Sequence, residues 1–375
     1  MSKSLLYVIL VFYFISDNLI YLFSDQISQY ILLISLSIYS TLVLSQKKLT
    51  VISIEKCFLY LFLCFLLFSS IYHRSIDLLL NGLLISIPFS TLENKIEINV
   101  NFINFLFIVQ ICFSILTYYQ GVNTYGFIPG QAGGVMNWRI SLFGMQSPPY
   151  TGFIASIVLL FNFFNNKTKN KWFFIALCAY WVAFSGSRTM YIYWLVFFLF
   201  TIVIKKERFF LKSYLPYCIL LSVLLGSFFV EFILGYLQSI NMVAFLIRTQ
   251  EYSGYNDELD LSRLNLYIYF YDIFIQNPLL GAGVISDIFL EGKIMSGSEV
   301  WFITLFSSVG IASLFLNVFF IKKLKCFMKK DNNILYWGLV LFMVSFMLYS
   351  SYIKPYNYAT VLLLLIVLSK NNKPL

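Results

Sequence analysis

Five of the chain's arginines, Arg74, Arg139, Arg188, Arg248 and Arg263, stand apart from its lysine clusters. A guanidinium presents a planar fork of donors that grips a carboxylate or phosphate through two hydrogen bonds, whereas lysine acts as a point charge. Arginines set apart in this way fit the binding of a phosphate-bearing ligand. The competing reading is that each one reaches to lipid headgroups or pairs with an acid such as Asp257, Glu258 or Asp260. Metal and redox chemistry find little support. Asp257-Glu258-Leu259-Asp260 lacks Asp-x-Asp spacing, and Cys57, Cys64, Cys112, Cys178, Cys218 and Cys326 are scattered with no CxxC pair. The expectation is therefore no metal site, no cofactor and no disulfide framework.

Local context gives three of these arginines a setting. Arg188 lies in Ser185-Gly186-Ser187-Arg188-Thr189, a turn short enough to fix its guanidinium between two apolar runs. Arg139 precedes Ser147-Pro148-Pro149 and an apolar run from about Tyr150, and prolines just before a helix set its start and leave amides that favour an anion. Arg263 opens a stretch from Leu261 to Gln276 in which Leu264, Ile268, Tyr271 and Ile275 recur at helical spacing. Asp260 or Ser262 is its expected cap, Asn277-Pro278 its stop, and Leu279-Leu280-Gly281-Ala282-Gly283 a sharp turn. This predicts an amphipathic helix lying on the outer face.

The elements that must carry these residues are membrane helices. Of 375 residues, 60% are hydrophobic and 11% charged, against roughly 25% charged in an ordinary soluble domain. Windows of roughly 20 apolar residues, the length that crosses a bilayer, fall near 4–23, 27–45, 52–72, 76–92, 102–119, 150–164, 172–184, 190–204, 213–230, 300–321, 334–350 and 357–369. The expectation is one all-α integral membrane domain over 1–375 with about twelve spans. The first run lacks a small-residue cleavage site and reads as a retained helix.

Lysine placement orients the chain, because short cytoplasmic loops accumulate basic residues. With both termini cytoplasmic, 19 of the 26 basic residues fall inside, including Lys167, Lys169 and Lys171 and the cluster from Lys322 to Lys330. The formal charge of +9 thus follows from topology, and no nucleic-acid partner is implied. Two long loops then face outward, 120–149 and 231–299, both too rich in apolar residues to read as disordered. The apolar stretch 232–247 reads as interfacial or re-entrant, since a further span there would place the Lys322–Lys330 cluster outside. The five arginines face outward, and of the inner basic residues only Arg208 is an arginine.

In these features the chain resembles the bacterial O-antigen polymerases and the related O-antigen ligases. The resemblance rests on Arg139 with Phe143-Gly144 and Pro148, on Ser185-Gly186-Ser187-Arg188, on Ser262-Arg263-Leu264 leading to Asn277-Pro278 and Gly281-Ala282-Gly283, and on Trp301 to Gly310. It covers roughly 120–321, in order. One departure separates the two groups. Ligases similar to this family carry a histidine where this chain reads Ser296-Gly297-Ser298-Glu299, and the single histidine, His73, lies elsewhere. That favours the polymerase and makes Glu299 the candidate acid/base group, with a helix-start acid held by the dipole as the other reading.

The resemblance implies glycosyl transfer without a metal at the outer leaflet of the inner (plasma) membrane, on the periplasmic or exterior side. The partners it implies are undecaprenyl-pyrophosphate-linked oligosaccharides, with a chain-length regulator and a flippase as further partners. Arg139, Arg188, Arg263 and Arg248 would bind pyrophosphate or substrate. A ligase-like transferase is one alternative. A flippase or transporter is the other, disfavoured because intramembrane charge is sparse (Asp17, with Glu55, Lys56 and Asp77 near helix ends) and no internal repeat is visible.

Overall fold

The computed structural model describes residues 7–11, 54–90, 98–121, 126–129, 140–142, 148–165, 170–185, 187–204, 263–283, 288–290, 293–295, 301–327, 333–348 and 361–365, with single positions at 14, 34, 37, 38, 41, 367 and 368. Its helices are α1 (Ile54–Tyr72), α2 (Ile76–Ser90), α3 (Val100–Tyr119), α4 (Pro148–Phe164), α5 (Lys171–Phe184), α6 (Arg188–Ile204), α7 (Arg263–Gln276), α8 (Trp301–Val309), α9 (Ala312–Phe327) and α10 (Asn333–Leu348). Further helical residues occur at 7–11 and 361–365. The expected spans near 213–230 and the segment 232–247 lie outside the described residues, as does most of 27–45.

Helix α4 is the centre of the bundle. Every residue from Tyr150 to Asn162 is buried, which is the pattern of a helix apolar all round. It packs most extensively on α5 and also on α3 and α6. Phe153 meets Phe342 and Phe346 of α10 edge-on at 5.7 and 5.2 Å, the geometry that places a ring's positive edge on its neighbour's negative face.

Polar groups inside this apolar body are paired with each other. Asn104 of α3 and Asn162 of α4 exchange two amide hydrogen bonds, of 2.9 and 2.7 Å, and Asn162 also donates to Val158 O at 2.9 Å. Trp194 Nε1 donates to Ser156 Oγ at 3.0 Å and Tyr193 Oη to Gly338 O at 3.1 Å, tying α6 to α4 and α10. Without water nearby each such group needs a protein partner, so these bonds fix which helix faces meet.

A second layer pairs α1 with α9. Phe58 and Phe65 lie against Phe315 at 6.4 and 5.6 Å, and Lys322 Nζ stands 4.4 Å over the Phe58 ring. Position 58 thus meets 322 and 65 meets 315, so the two helices run in opposite directions. Helix α2 folds back on α1, with Gly82 leaving room for the Leu66 side chain.

Large apolar residues are exposed on the outside of this body, among them Phe68, Ile71 and Tyr72 of α1, Trp172 of α5 and Leu195 of α6. Water disfavours so much contiguous apolar surface. Among the described residues one helix, Val100–Tyr119 with 20 residues, is by length and composition able to cross a membrane; other apolar helices are shorter.

The structure departs from expectation at two places. The apolar window 300–321 is two helices, α8 and α9, broken at Gly310 and Ile311. Gly310 has φ +62° and lies so close to Pro278 and Leu279 that a side chain would not fit. The second place is 288–295, which reads as loop in sequence. It forms an antiparallel pair, β1 (Ile288–Leu290) and β2 (Lys293–Met295), with Phe289 opposite Ile294. Glu291-Gly292 joins the two strands, a link of the length that favours hairpins.

Candidate functional site

The segment between α3 and α4 is anchored at a buried knot between α3, α4 and α5. Residues 140–142 are pinned by hydrogen bonds, among them Ile140 N to Phe184 O (3.0 Å), Ser141 N to Gly126 O (3.2 Å), Leu142 N to Thr151 Oγ1 (2.9 Å), and Ser114 Oγ to Ser141 O. Ile140, Ser141, Leu142, Ser114 and Thr151 are fully buried. The bond to Phe184 uses a carbonyl that the end of α5 would leave without an intrahelical partner.

Directly after Phe184 the chain turns into α6. Ser185 Oγ donates to Val182 O at 2.8 Å, and Ser187 O accepts from Met190 N and Tyr191 N at 3.0 and 3.1 Å, so Ser187 caps the start of α6 through its carbonyl. Its hydroxyl, in a residue only 1% exposed, finds no hydrogen-bond partner among the described residues. The turn lies directly on the first turn of α4, because Gly152 has no side chain; a Cβ there would stand 2.6 Å from Ser185 Oγ and 2.9 Å from Ser187 Cβ.

The starts of α4 and α6 are therefore neighbours. Helix N-termini carry partial positive charge and unpaired N–H groups, a setting that attracts anions. Pro148 and Pro149 remove two of those donors from α4, leaving its dipole and the amides of α6. An anion bound here would meet serine hydroxyls and two aligned dipoles.

A second knot joins the α1–α2 turn to the turn after α7. Helix α7 stops as its sequence predicts, with Asn277 N donating to Ile273 O at 3.1 Å. It does not stand alone as a surface helix: Phe274 packs edge-on against Phe306 at 5.2 Å, and further along Ile311 N donates to Pro278 O at 2.9 Å. Positions 274 and 278 thus match 306 and 311, so α7 and α8 run side by side in the same direction.

The glycine turn then seals the break in the 300–321 window. Ala282 N donates to Ser307 O at 2.7 Å and Gly283 N to Ser308 O at 2.9 Å, satisfying carbonyls that the end of α8 leaves open. Gly281 and Gly283 have φ +68° and +76°, and side chains there would strike the Ser308 backbone and the His73 ring. Ser69 Oγ donates to Leu280 O at 2.6 Å and His73 Nε2 to Gly281 O at 2.8 Å, so the α1–α2 turn locks this plug in place.

Of the residues singled out from sequence, Arg188 and Arg263 are the first residues of α6 and α7. Arg139, Arg248 and Glu299 lie outside the described residues. The segments flanking two of the arginine motifs meet at the first knot, since Ile140 follows Arg139 and Phe184 ends the helix before Arg188. Arg263 stands at the end of α7 remote from the glycine plug. The sequence reading passed over Ser114, Thr151, Gly152 and Ser69, and noted His73 only as the single histidine, away from the ligase position. Their signal was present as small or polar residues inside apolar runs, which mark close backbone approach and interhelical hydrogen bonds.

A family model described as O-antigen ligase matches residues 173–308. The matched stretch runs from α5 through α6 and α7 into the last turn of α8 and so includes parts of both knots. No curated protein matches, and no solved structure does. The match supports the O-antigen polymerase and ligase family.

Proposed function

We propose that this chain, as a member of the O-antigen polymerase and ligase family, joins lipid-linked oligosaccharide repeat units at the outer leaflet of the bacterial inner (plasma) membrane. It acts as a single multi-pass domain with about twelve spans, both termini cytoplasmic, and the loops 120–149 and 231–299 outside. Seen this way, the exposed apolar faces of α1, α3, α5 and α6 are lipid-facing.

In the reaction, a hydroxyl oxygen of one lipid-linked unit attacks the anomeric carbon of the other. The bond from that carbon to the pyrophosphate oxygen breaks, and undecaprenyl pyrophosphate leaves with the electron pair. Glu299 takes the hydroxyl proton. Arg139 and Arg188, with Arg263 and Arg248, neutralise the charge that builds on the leaving pyrophosphate, the kind of preorganised stabilisation that acts most strongly in the transition state. This assigns to arginine the role a metal ion plays in other transferases.

The observation that carries the reading is the hydrogen bond between Ile140 N and Phe184 O, within a knot where the starts of α4 and α6 also adjoin. Arg139 immediately precedes Ile140, and consecutive Cα atoms are about 3.8 Å apart. Ile140 is tied to the end of α5, four residues before Arg188, and in this proposal Arg139, its neighbour in sequence, and Arg188 serve one anion.

The matched family's description favours a second reading, transfer of the finished glycan to a different acceptor. Purified protein given only undecaprenyl-pyrophosphate-linked repeat units, with a chelator present, separates the two. A ladder of lipid-linked polymer supports the polymerase without a metal. Absence of a ladder, with transfer when a lipid A–core acceptor is added, identifies a ligase.

A further inference from the structure

Ser187 carries a polar atom that the fold does not use. The residue is 1% exposed, and its hydroxyl has no hydrogen-bond partner among the described residues. A buried donor left unpaired destabilises a folded chain, and most such groups in native proteins are paired. Packing does not call for the oxygen. A side chain on Gly152 would stand 2.9 Å from Ser187 Cβ, so the β-carbon fills the seam against α4, and alanine would fill it equally well. A serine at a helix start ordinarily turns its oxygen onto the amides of its own helix. Here Met190 N and Tyr191 N bond Ser187 O at 3.0 and 3.1 Å, and the hydroxyl is left in the seam between α4 and α6.

The surroundings are short of acceptors. The carbonyls of the last turn of α5, which lead into this seam, each accept a bond already: Trp181 O from Ser185 N at 3.0 Å, Val182 O from Ser185 Oγ at 2.8 Å, Ala183 O from Tyr191 Oη, and Phe184 O from Ile140 N at 3.0 Å. Thr151 Oγ1, on the first turn of α4, accepts from Leu142 N at 2.9 Å, and Ser185 Oγ accepts from Ser187 N at 3.4 Å. Neither α4 nor α6 has an acidic residue in its first turn to offset the positive helix end. A hydroxyl donor and two helix starts thus share one seam, and a compact group rich in acceptor oxygens would complete them. A sugar hydroxyl brings a donor along with its acceptor, whereas a phosphate brings several acceptors and the charge that helix starts favour.

We propose that Ser187 is a binding residue for the lipid-linked donor, its hydroxyl donating a hydrogen bond to a pyrophosphate oxygen that enters the seam between the starts of α4 and α6. Shielded from bulk water, that bond to a charged oxygen forms in a low-dielectric setting that strengthens it. The ligand's identity rests on the glycan-transfer reading above. Binding is measured without turnover, so the two readings can fail separately.

The test uses full-length protein in phosphatidylcholine nanodiscs, as wild type and Ser187→Ala, with a thermal melt of each and a titration with undecaprenyl pyrophosphate. Alanine keeps the β-carbon and removes only the hydroxyl. Without ligand, Ser187→Ala should melt at or above the wild-type temperature, because an unpaired buried donor is lost. It should bind undecaprenyl pyrophosphate at least about tenfold more weakly, the scale of a hydrogen bond to a charged group. A lower melting temperature shows that the hydroxyl is bonded within the fold, to a buried water for example, and overturns the proposal. Wild-type affinity in Ser187→Ala overturns it too. So does a difference between the two proteins that vanishes when phosphatidylglycerol replaces part of the phosphatidylcholine, since the seam then holds bulk lipid phosphate. Binding that depends on Ser187 without any glycan transfer removes the transfer reading and leaves this one intact, and glycan transfer with binding indifferent to Ser187 does the opposite.

Discussion

Gly152→Ala tests whether the contact between α4 and the α5–α6 turn holds the proposed anion site together. The added Cβ would stand 2.6 Å from Ser185 Oγ and 2.9 Å from Ser187 Cβ. Ser185 Oγ yields only by giving up its bond to Val182 O. Ser187 Cβ moves only with its backbone, from 2.9 Å to at least the 3.4 Å of ordinary contact, a shift of about 0.5 Å. That displaces the cap of α6 and with it Arg188. Alanine raises helix propensity by about 1 kcal/mol over glycine, while overpacking costs about 1–3 kcal/mol. The net loss of stability is then about 0–2 kcal/mol, small enough for the protein to reach the membrane. A misplacement of about 1 Å can cost about 100-fold in rate, so half of that displacement should cost about tenfold. The assay is polymer length and yield from purified lipid-linked repeat units, normalised to folded protein, beside a thermal melt. A Gly152→Ala protein with wild-type rate would show that the position of this turn does not matter to the chemistry.

Replacing Arg139, Arg188 or Arg263 with Lys keeps the charge and loses the two-pronged grip, so polymer should drop sharply at unchanged protein level; normal polymer in all three variants would mean they are topological or lipid anchors. Glu299→Gln removes the ability to take a proton and should slow transfer by roughly 100- to 10,000-fold, while Glu299→Asp keeps part of the rate; a near-native Gln variant makes Glu299 structural. Reporter fusions after Thr124 and Tyr255 should read outside and those after Lys169 and Lys329 inside, with a cytoplasmic signal at Tyr255 refuting the orientation. In a double-mutant cycle on Asn104 and Asn162, both changed to Ala, the coupling energy should be about 0.6–2 kcal/mol; additivity would deny the paired amides any role in fixing α3 on α4.

Much of the helical framework was legible in the sequence. The apolar windows at 52–72, 102–119, 172–184 and 334–350 coincide with α1, α3, α5 and α10 within a few residues, because in an apolar surround the backbone must satisfy its own hydrogen bonds and hydropathy alone marks where it does so. The stop of α7 was equally readable, since Asn277-Pro278 cannot continue a helix. Tertiary structure decided what hydropathy cannot encode. The window 300–321 breaks at Gly310 because a turn thirty residues earlier supplies the hydrogen bonds that its backbone gives up, and no local pattern records a partner so distant. The pinning of residues 140–142 has the same origin, with partners on α3, α4 and α5 that are far apart in sequence. By itself the sequence determined where the arginines lie along the chain. Which of their flanking segments meet was fixed by small residues, Gly152, Gly281 and Gly283, whose missing side chains let backbones approach, a property of pairs of surfaces that appears only once the chain is folded.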